Sequence, residues 1–269
     1  MIDPAPQKNT PPDFFQNRHV VVTGGSRGIG RAIAYDFAAL GAIVHVVSQS
    51  ANAETVVRAI LEQGGRATAY VGSVADEAFS RGIADGIERD GAGIDVLVNA
   101  AAVLGPTGRF AECSMAEFMN VLSTNLMGTC NFMRWALPQM ERRGFGRIIN
   151  FAGGGAAYAY PMFTPYGVSK VAIVRLTETV AEEISSPGVT VNVIAPGAVD
   201  TDMLAEVRRR GGEVRTVVGM EEPVRLVRFL AGPEAGHITG RFIHARDNYE
   251  QSKSFENKDM FKLRRTEIR

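Results

Sequence analysis

The chain is poor in cysteine and carries no surplus of either charge. Two cysteines, Cys113 and Cys130, among 269 residues cannot build a disulfide framework, and neither has the spaced cysteine or histidine partners of a zinc site. No metal is expected. Lysine plus arginine equals aspartate plus glutamate at 29 each, so no global field draws the chain toward nucleic acid or an anionic membrane. A small-molecule partner is implied. No apolar stretch has the length that spans a bilayer, and the first residues carry Pro4, Pro6, Pro11 and Pro12 where a signal peptide would have an apolar core. The expectation is a cytoplasmic protein with residues 1–17 as a flexible N-terminal arm.

What the chain does have is a rhythm. Apolar runs near 18–23, 43–47, 66–71, 95–99, 146–152, 188–194 and 240–245 are separated by helix-length amphipathic segments. Parallel strands need such crossovers, and strands covered on both faces read as continuous apolar runs, as Val189-Thr190-Val191-Asn192-Val193-Ile194 nearly does. The pattern predicts an α/β fold: a single doubly wound Rossmann-type domain over 18–245 with a seven-stranded parallel sheet. Residues 246–269 turn polar and charged and read as an appended tail. Open sheets of this kind bind ligands beyond the carboxyl ends of their strands.

The run Thr23-Gly24-Gly25-Ser26-Arg27-Gly28-Ile29-Gly30 follows the apolar strand His19-Val20-Val21-Val22 and leads into an amphipathic helix. Glycines 24, 28 and 30 let the backbone turn tightly beneath a pyrophosphate, and the amides that open the helix point partial positive charge at it. A dinucleotide cofactor is implied; the competing reading is a bare strand-to-helix turn. The spacing differs from the G-x-G-x-x-G of the commoner Rossmann dehydrogenases.

Further segments agree with one family in chain order. Asn99-Ala100-Ala101-Ala102 follows the strand Asp95-Val96-Leu97-Val98, and Asn125 sits within Ser123-Thr124-Asn125-Leu126-Met127-Gly128. Tyr166-Gly167-Val168-Ser169-Lys170 gives a Tyr-x-x-x-Lys pair, and Pro196-Gly197-Ala198-Val199-Asp200-Thr201 follows strand six. With the glycine run, these resemble the short-chain dehydrogenase/reductase family, in its ketoacyl-reductase-like branch. The resemblance implies a cofactor site formed by Gly24, Ser26, Arg27, Gly28, Ile29, Gly30, Ser48, Gln49, Ser73, Val74, Asn99, Ala100, Ala101, Tyr166, Lys170, Pro196, Gly197, Val199 and Thr201. The second strand ends in Ser48-Gln49-Ser50 without the carboxylate that receives the adenosine ribose of NAD. Arg27 resembles the basic residue of NADP-preferring members, so NADP(H) is expected ahead of NAD(H).

The same resemblance makes Asn125, Tyr166 and Lys170 catalytic. Free tyrosine, with a pKa near 10, is a reluctant acid-base group at neutral pH. Lys170 lies four residues on, along one helix face, where its ammonium, together with the oxidised nicotinamide, would favour phenolate. Asn125 would position a water linking Lys170 to solvent, or else serve as a helix-kinking side chain bonded to backbone. Tyr249-Glu250-Gln251-Ser252-Lys253 has the same spacing but lies beyond the last strand. The family's serine stands thirteen positions before the tyrosine, and here that position is Gly153, preceded by Ala152. Three accounts compete: amides of Gly153, Gly154 and Gly155 replace the hydroxyl; Tyr158, Tyr160 or Thr164 reaches in; or catalysis is lost.

The expected function is an NADP(H)-dependent oxidoreductase interconverting a ketone and a secondary alcohol on a small organic substrate, the alternative being a catalytically silent nucleotide-binding or sensor protein. A homotetramer or homodimer is expected by resemblance, pairing through 114–142 and 166–185. Phe132, Met133, Trp135, Ala136 and Leu137 exceed what one helix face needs for its own sheet, and the tail residues Phe255, Met260, Phe261 and Leu263 offer cover for a neighbouring subunit.

Overall fold

Each apolar run becomes a strand of one sheet. A computed structural model describes residues 11, 13–214, 217–250, 255 and 262–263. Its strands are β1 (His19–Thr23), β2 (Ile43–Ser48), β3 (Arg66–Val71), β4 (Val96–Asn99), β5 (Gly146–Phe151), β6 (Val189–Ala195) and β9 (Phe242–His244), with a separate short pair, β7 (Ala198–Val199) and β8 (Val217–Val218). The main sheet runs β3-β2-β1-β4-β5-β6-β9, every pair parallel. Parallel pairing requires crossovers. The helices are α1 (Gly28–Ala39), α2 (Asn52–Glu62), α3 (Glu77–Arg89), α4 (Met115–Leu122), α5 (Gly128–Arg143), α6 (Thr164–Glu183), α7 (Asp202–Arg209) and α8 (Glu221–Ala231). The chain winds outward from β1 through β2 to β3, then returns to β4 on the other side. That reversal opens a crevice at the carboxyl ends of β1 and β4.

Alternation along β1 sends side chains to both faces. Val20 and Val22 pack with Ile33 and Phe37 of α1 and Leu226 and Leu230 of α8, whereas Val21 packs with Ile83 of α3 and Phe132 and Met140 of α5. Polar side chains end the helices. Asp76 Oδ1 accepts from the Ala78 amide at 2.9 Å to cap α3, and Thr201 Oγ1 accepts from the Leu204 amide at 3.4 Å to cap α7. Among the described residues no helix is long and apolar enough to cross a membrane.

Three expectations are corrected by packing. The arm does not extend to residue 17: Asp13–Asn17 form a turn, and Phe15 is buried with its ring 5.2 Å from that of Phe37. The apolar positions of α5 are absorbed by their own chain. Phe132, Met133 and Ala136 are buried between the sheet and α3, and Trp135 and Leu137 pack against the same cluster. The tail also turns inward. Tyr249 and Phe255 join the core beside α8, and Leu263 packs near Ala152 and Val174. Met260 and Phe261 lie outside the described residues.

One buried ion pair ties the first and last helices. Arg228 Nε donates to Asp36 Oδ2 at 2.9 Å, and both side chains are almost wholly enclosed. Burial nevertheless raises the Asp36 carboxyl above its ordinary value, outweighing the pull of Arg228 downward. Attraction therefore does not offset desolvation, so the pair fixes where α8 docks more than it stabilises the fold. Arg228→Met alone is expected to cost about 3–5 kcal/mol, because Asp36 is left buried and unpaired. Adding Asp36→Leu should restore most of that loss. Urea denaturation of the single and double variants checks this.

Candidate active site

The crevice is walled by backbone. Gly24 has φ +68° and lies against the β4 loop so closely that a Cβ there would stand 2.8 Å from Ala101 Cα. Thr23 Oγ1 accepts from the Ala101 amide at 3.2 Å and holds that approach. At Gly30 a Cβ would meet the Gly24 carbonyl oxygen at 2.4 Å, so α1 begins directly beneath the turn. Arg27, the residue before α1, caps it with no side-chain bond, and the first turn carries no acid. Its opening amides are thus left for an anion. A cavity of about 470 Å³ runs from here along the sheet edge to Tyr166 and Lys170. Its size and its uncapped helix fit a dinucleotide.

Most of the expected cofactor residues line this cavity: Gly24, Ser26, Arg27, Gly28, Ile29, Gly30, Ser48, Gln49, Ser73, Val74, Ala100, Ala101, Pro196 and Thr201. Three do not. Asn99 is buried and donates from Nδ2 to Asn150 Oδ1 at 2.9 Å, and Asn150 donates to Thr177 Oγ1 at 2.9 Å, so the pair links β4, β5 and α6. Gly197 supplies a turn with φ +75° against Val218, and Val199 is buried in β7. Sequence reasoning missed Asn52, Gly72, Val103, Thr124, Asp202 and Met203 as lining residues, which come from loops and from the first turns of α2 and α7 and the π-turn, without a local signature. The Arg27 side chain is exposed and makes no hydrogen bond or ion pair among the described residues. Ser48 is less available than expected. Its buried hydroxyl shares a 2.7 Å hydrogen bond with Ser26 Oγ and accepts from the Ser50 amide.

At the other end α6 buries Tyr166 and Lys170 together. Lys170 Nζ donates to the Phe151 carbonyl at 2.9 Å and lies 5.6 Å from the Tyr166 ring centre. Burial lowers the lysine to about 7. The Tyr166 phenol is pushed up, chiefly by burial and secondarily by Tyr160. Desolvation dominates both groups and favours the neutral form of each in the chain alone. Asn125 is fully committed. Its Oδ1 accepts from the Val103 amide at 2.8 Å, and Nδ2 donates to the Val103 carbonyl and to Ser169 Oγ. It sits in a π-helical turn, Ser123–Met127. Its side chain positions the β4 loop against α6.

The three glycines after β5 have separate packing reasons. A Cβ on Gly153 would stand 2.5 Å from Tyr166 Oη, and one on Gly155, where φ is +87°, 2.6 Å from Gly167 Cα. Gly154 lies against Tyr160. Among the described residues the amides of Gly154 and Gly155 nonetheless have no partner. Tyr158 is 67% exposed, and Tyr160 donates to the Glu213 carbonyl at 3.4 Å. Neither these two nor Thr164 lines the cavity.

A reversal-point crevice, an uncapped helix under a glycine turn and a buried Tyr–Lys pair define a dinucleotide-dependent oxidoreductase. A family model for short chain dehydrogenases matches residues 18–211, and the chain belongs to that family. It is a short-chain NAD(P)-dependent dehydrogenase/reductase. It is 37% identical over 245 residues to the short-chain reductase protein NovJ of Streptomyces niveus, covering 85% of this chain and 92% of that one. It is 31% identical over 237 residues to the 3-oxoacyl-[acyl-carrier-protein] reductase FabG of Haemophilus influenzae, covering 86% and 97%. Among solved structures, one from Beutenbergia cavernae described as a putative NAD(P)-dependent gluconate 5-dehydrogenase with NADP bound at low occupancy superposes with a TM-score of 0.79 at 31% identity, covering 87% and 97%.

The depressed lysine has a consequence for stability. Its folded value of about 7 lies below the ordinary 10.5, so the unfolded chain binds a proton in that interval that the folded chain does not. Stability contributed by Lys170 is thus full above about 10.5 and lost as pH falls to about 7. The expected slope is about 1.4 kcal/mol per pH unit. Lys170→Met should flatten it, as urea midpoints measured from pH 7 to 10 will report.

Proposed function

We propose that the protein is an NADP(H)-dependent reductase that interconverts a small ketone and its secondary alcohol. The observation that carries this reading is the buried Tyr166–Lys170 pair at the end of a cavity that begins at Arg27 and the uncapped α1. Nicotinamide bound there supplies or accepts a hydride. The chain's own residues manage the proton. Tyr166, held protonated by burial, is the donor to a carbonyl oxygen presented at Oη. Lys170 sits near its midpoint at neutral pH, so it can exchange a proton with little free-energy change, and its bond to Phe151 keeps it beneath the tyrosine. The absence of a carboxylate after β2 and the free guanidinium of Arg27 support NADP(H) over NAD(H). Resemblance supports a homo-oligomer. The exposed apolar residues Met115, Met119, Met127, Val168 and Val171 on α4, the π-turn and α6 supply a contact surface in place of α5.

Within this reading, position 153 lacks the family's serine because the tyrosine hydroxyl fills its space. Backbone amides of Gly154 and Gly155 are the available donors beside it.

NADPH is expected to bind more tightly than NADH, and Arg27→Ala should weaken NADPH about tenfold, the scale of one charge-assisted hydrogen bond, while leaving NADH unchanged. Equal affinities in a fluorescence titration would sink the nucleotide assignment. Tyr166→Phe should abolish turnover. Gly153→Ser should lower it, because the new Cβ displaces the phenol, and misplacement by about 1 Å costs on the order of 10²-fold. A faster Gly153→Ser enzyme would show that the site merely lacks a donor.

A further inference from the structure

We infer that Leu263, outside the residues 18–211 that the family model matches, is a positioning residue of the active site, bracing from behind the segments that carry Asn125, Gly153 and Lys170. What those segments do rests on the reductase reading; how they are held rests on packing. Leu263 closes a small apolar cluster whose core is Ala152, Ala156, Ile173, Val174 and Val193, with Leu126 and Phe242 at its margin. Most members adjoin a site residue. Leu126 follows Asn125 in the π-turn, Ala152 precedes Gly153 and itself lines the cavity, and Ile173 and Val174 stand one turn beyond Lys170 on α6. The Ala156 amide donates to the Gly153 carbonyl at 3.2 Å and closes the turn beside Tyr166 Oη. The cluster is the back of the catalytic end. Interiors pack without slack, so a side chain missing from so small a cluster is felt by its neighbours.

The seat of Leu263 is built by α6, which holds its backbone from both sides. Glu178 Oε1 accepts from the Leu263 amide at 2.7 Å, and Arg175 Nη2 donates to the Leu263 carbonyl at 3.1 Å. Both bonds are charge-assisted, and Arg175 Nη1 pairs with Glu178 Oε2 at 2.5 Å, so the two clamping groups orient each other. Glu178 is buried, and an enclosed carboxylate requires such donors. Lys262 Nζ adds a bond to Glu182 Oε1 at 3.2 Å. Positions 175, 178 and 182 fall on one stripe of the helix that carries Tyr166 and Lys170. Gly240, with φ +65°, leaves room beside them: a Cβ there would stand 2.9 Å from Ala181 Cβ and 4.0 Å from Lys262 Cε. The tail is thus fastened to α6 by its backbone and seated behind the loop after β5 by its side chain.

The test substitutes Leu263, which lies outside the sheet and its helices, in the full-length protein. Amide exchange read by mass spectrometry needs no substrate. Leu263→Asp should speed exchange about tenfold in peptides covering 123–130 and 150–157, and leave 19–39 unchanged, because α1 packs in a different cluster. With the fastest-reduced of ethyl acetoacetate, cyclohexanone and dihydroxyacetone, kcat should fall about tenfold, part of the roughly 10²-fold that a displacement of about 1 Å costs. The nucleotide Kd should hold, since the glycine turn lies at the other end. Leu263→Met, which refills the space, should restore both readouts, and Leu263→Ala should reproduce the loss at smaller amplitude without introducing a charge. Unchanged exchange in the two segments overturns the inference, as does an active Leu263→Asp enzyme with unchanged kcat. Faster exchange at 19–39 or a weakened nucleotide Kd would reveal general loosening and overturns the positioning role. If the wild-type protein reduces no ketone while the local exchange response appears, the brace stands and the reductase reading falls.

Discussion

The site depends on backbone touching backbone where a side chain would hold the segments apart. Gly24 lies on Ala100 and Ala101, Gly30 lies under the Gly24 carbonyl, and Gly155 lies on Gly167. The first two contacts draw the β1 turn, the β4 loop and the start of α1 into one corner, which aims the α1 amides into the cavity. The third seats α6 against the loop after β5 and so sets where Tyr166 stands relative to the sheet. At Gly24 and Gly155 the φ angles of +68° and +87° would strain any other residue as well. The two halves of the site are thus positioned by the same device, independently of each other. The Asn125 side chain, bonded to Val103 on one side and Ser169 on the other, then couples the β4 loop to α6.

Dryness determines the chemistry inside that frame. Burial moves Tyr166 and Lys170 in opposite directions along the pH scale, and in both cases it favours the neutral form. A phenol so held keeps its proton until an acceptor arrives. A nearby charge that stabilised the phenolate, such as the ribose-nicotinamide end of an oxidised cofactor, would pull the other way. The resting preference for the protonated phenol is what a donor to a carbonyl requires, and it arises from enclosure by Leu104, Phe163 and Val207 and not from a hydrogen-bond partner.

Much of this was legible in the chain. Continuous apolar runs are a local signal, so the seven main strands fall within a residue or two of their expected positions, and the glycine turn was readable because strand, turn and helix are adjacent. The short pair β7 and β8 escaped notice, each strand being only two residues long. What could not be read depends on contacts distant in sequence. Nothing near Ser48 shows that its hydroxyl is spent on Ser26, and nothing near Phe255 shows that it joins the α8 core. The apolar crowd on α5 looked like an interface because its second partner, α3, lies some fifty residues earlier in the chain. The glycine triplet looked like a ligand platform for the same reason, since Tyr166 and Gly167, which fill the space beside it, follow by more than ten residues.

The composition of the two ends explains why one end of the site is readable and the other is not. The nucleotide end is recognised by backbone amides and a helix terminus, and those demands write glycines into the sequence at fixed spacing. At the other end the neighbours of Tyr166, namely Leu104, Tyr160, Phe163, Met203 and Val207, come from two loops and α7, and apolar residues gathered from separate segments carry no joint periodicity. Shape also discriminates differently from hydrogen bonding. A wall of apolar groups separates ketones that differ by a methylene only about 10–200-fold, whereas a site built to satisfy a substrate hydroxyl rejects its absence about 10⁴-fold or more. Leu104, Phe163 and Val207 enclose the Tyr166 ring without lining the cavity, so they hold the phenol in place and leave discrimination to the residues that do line it.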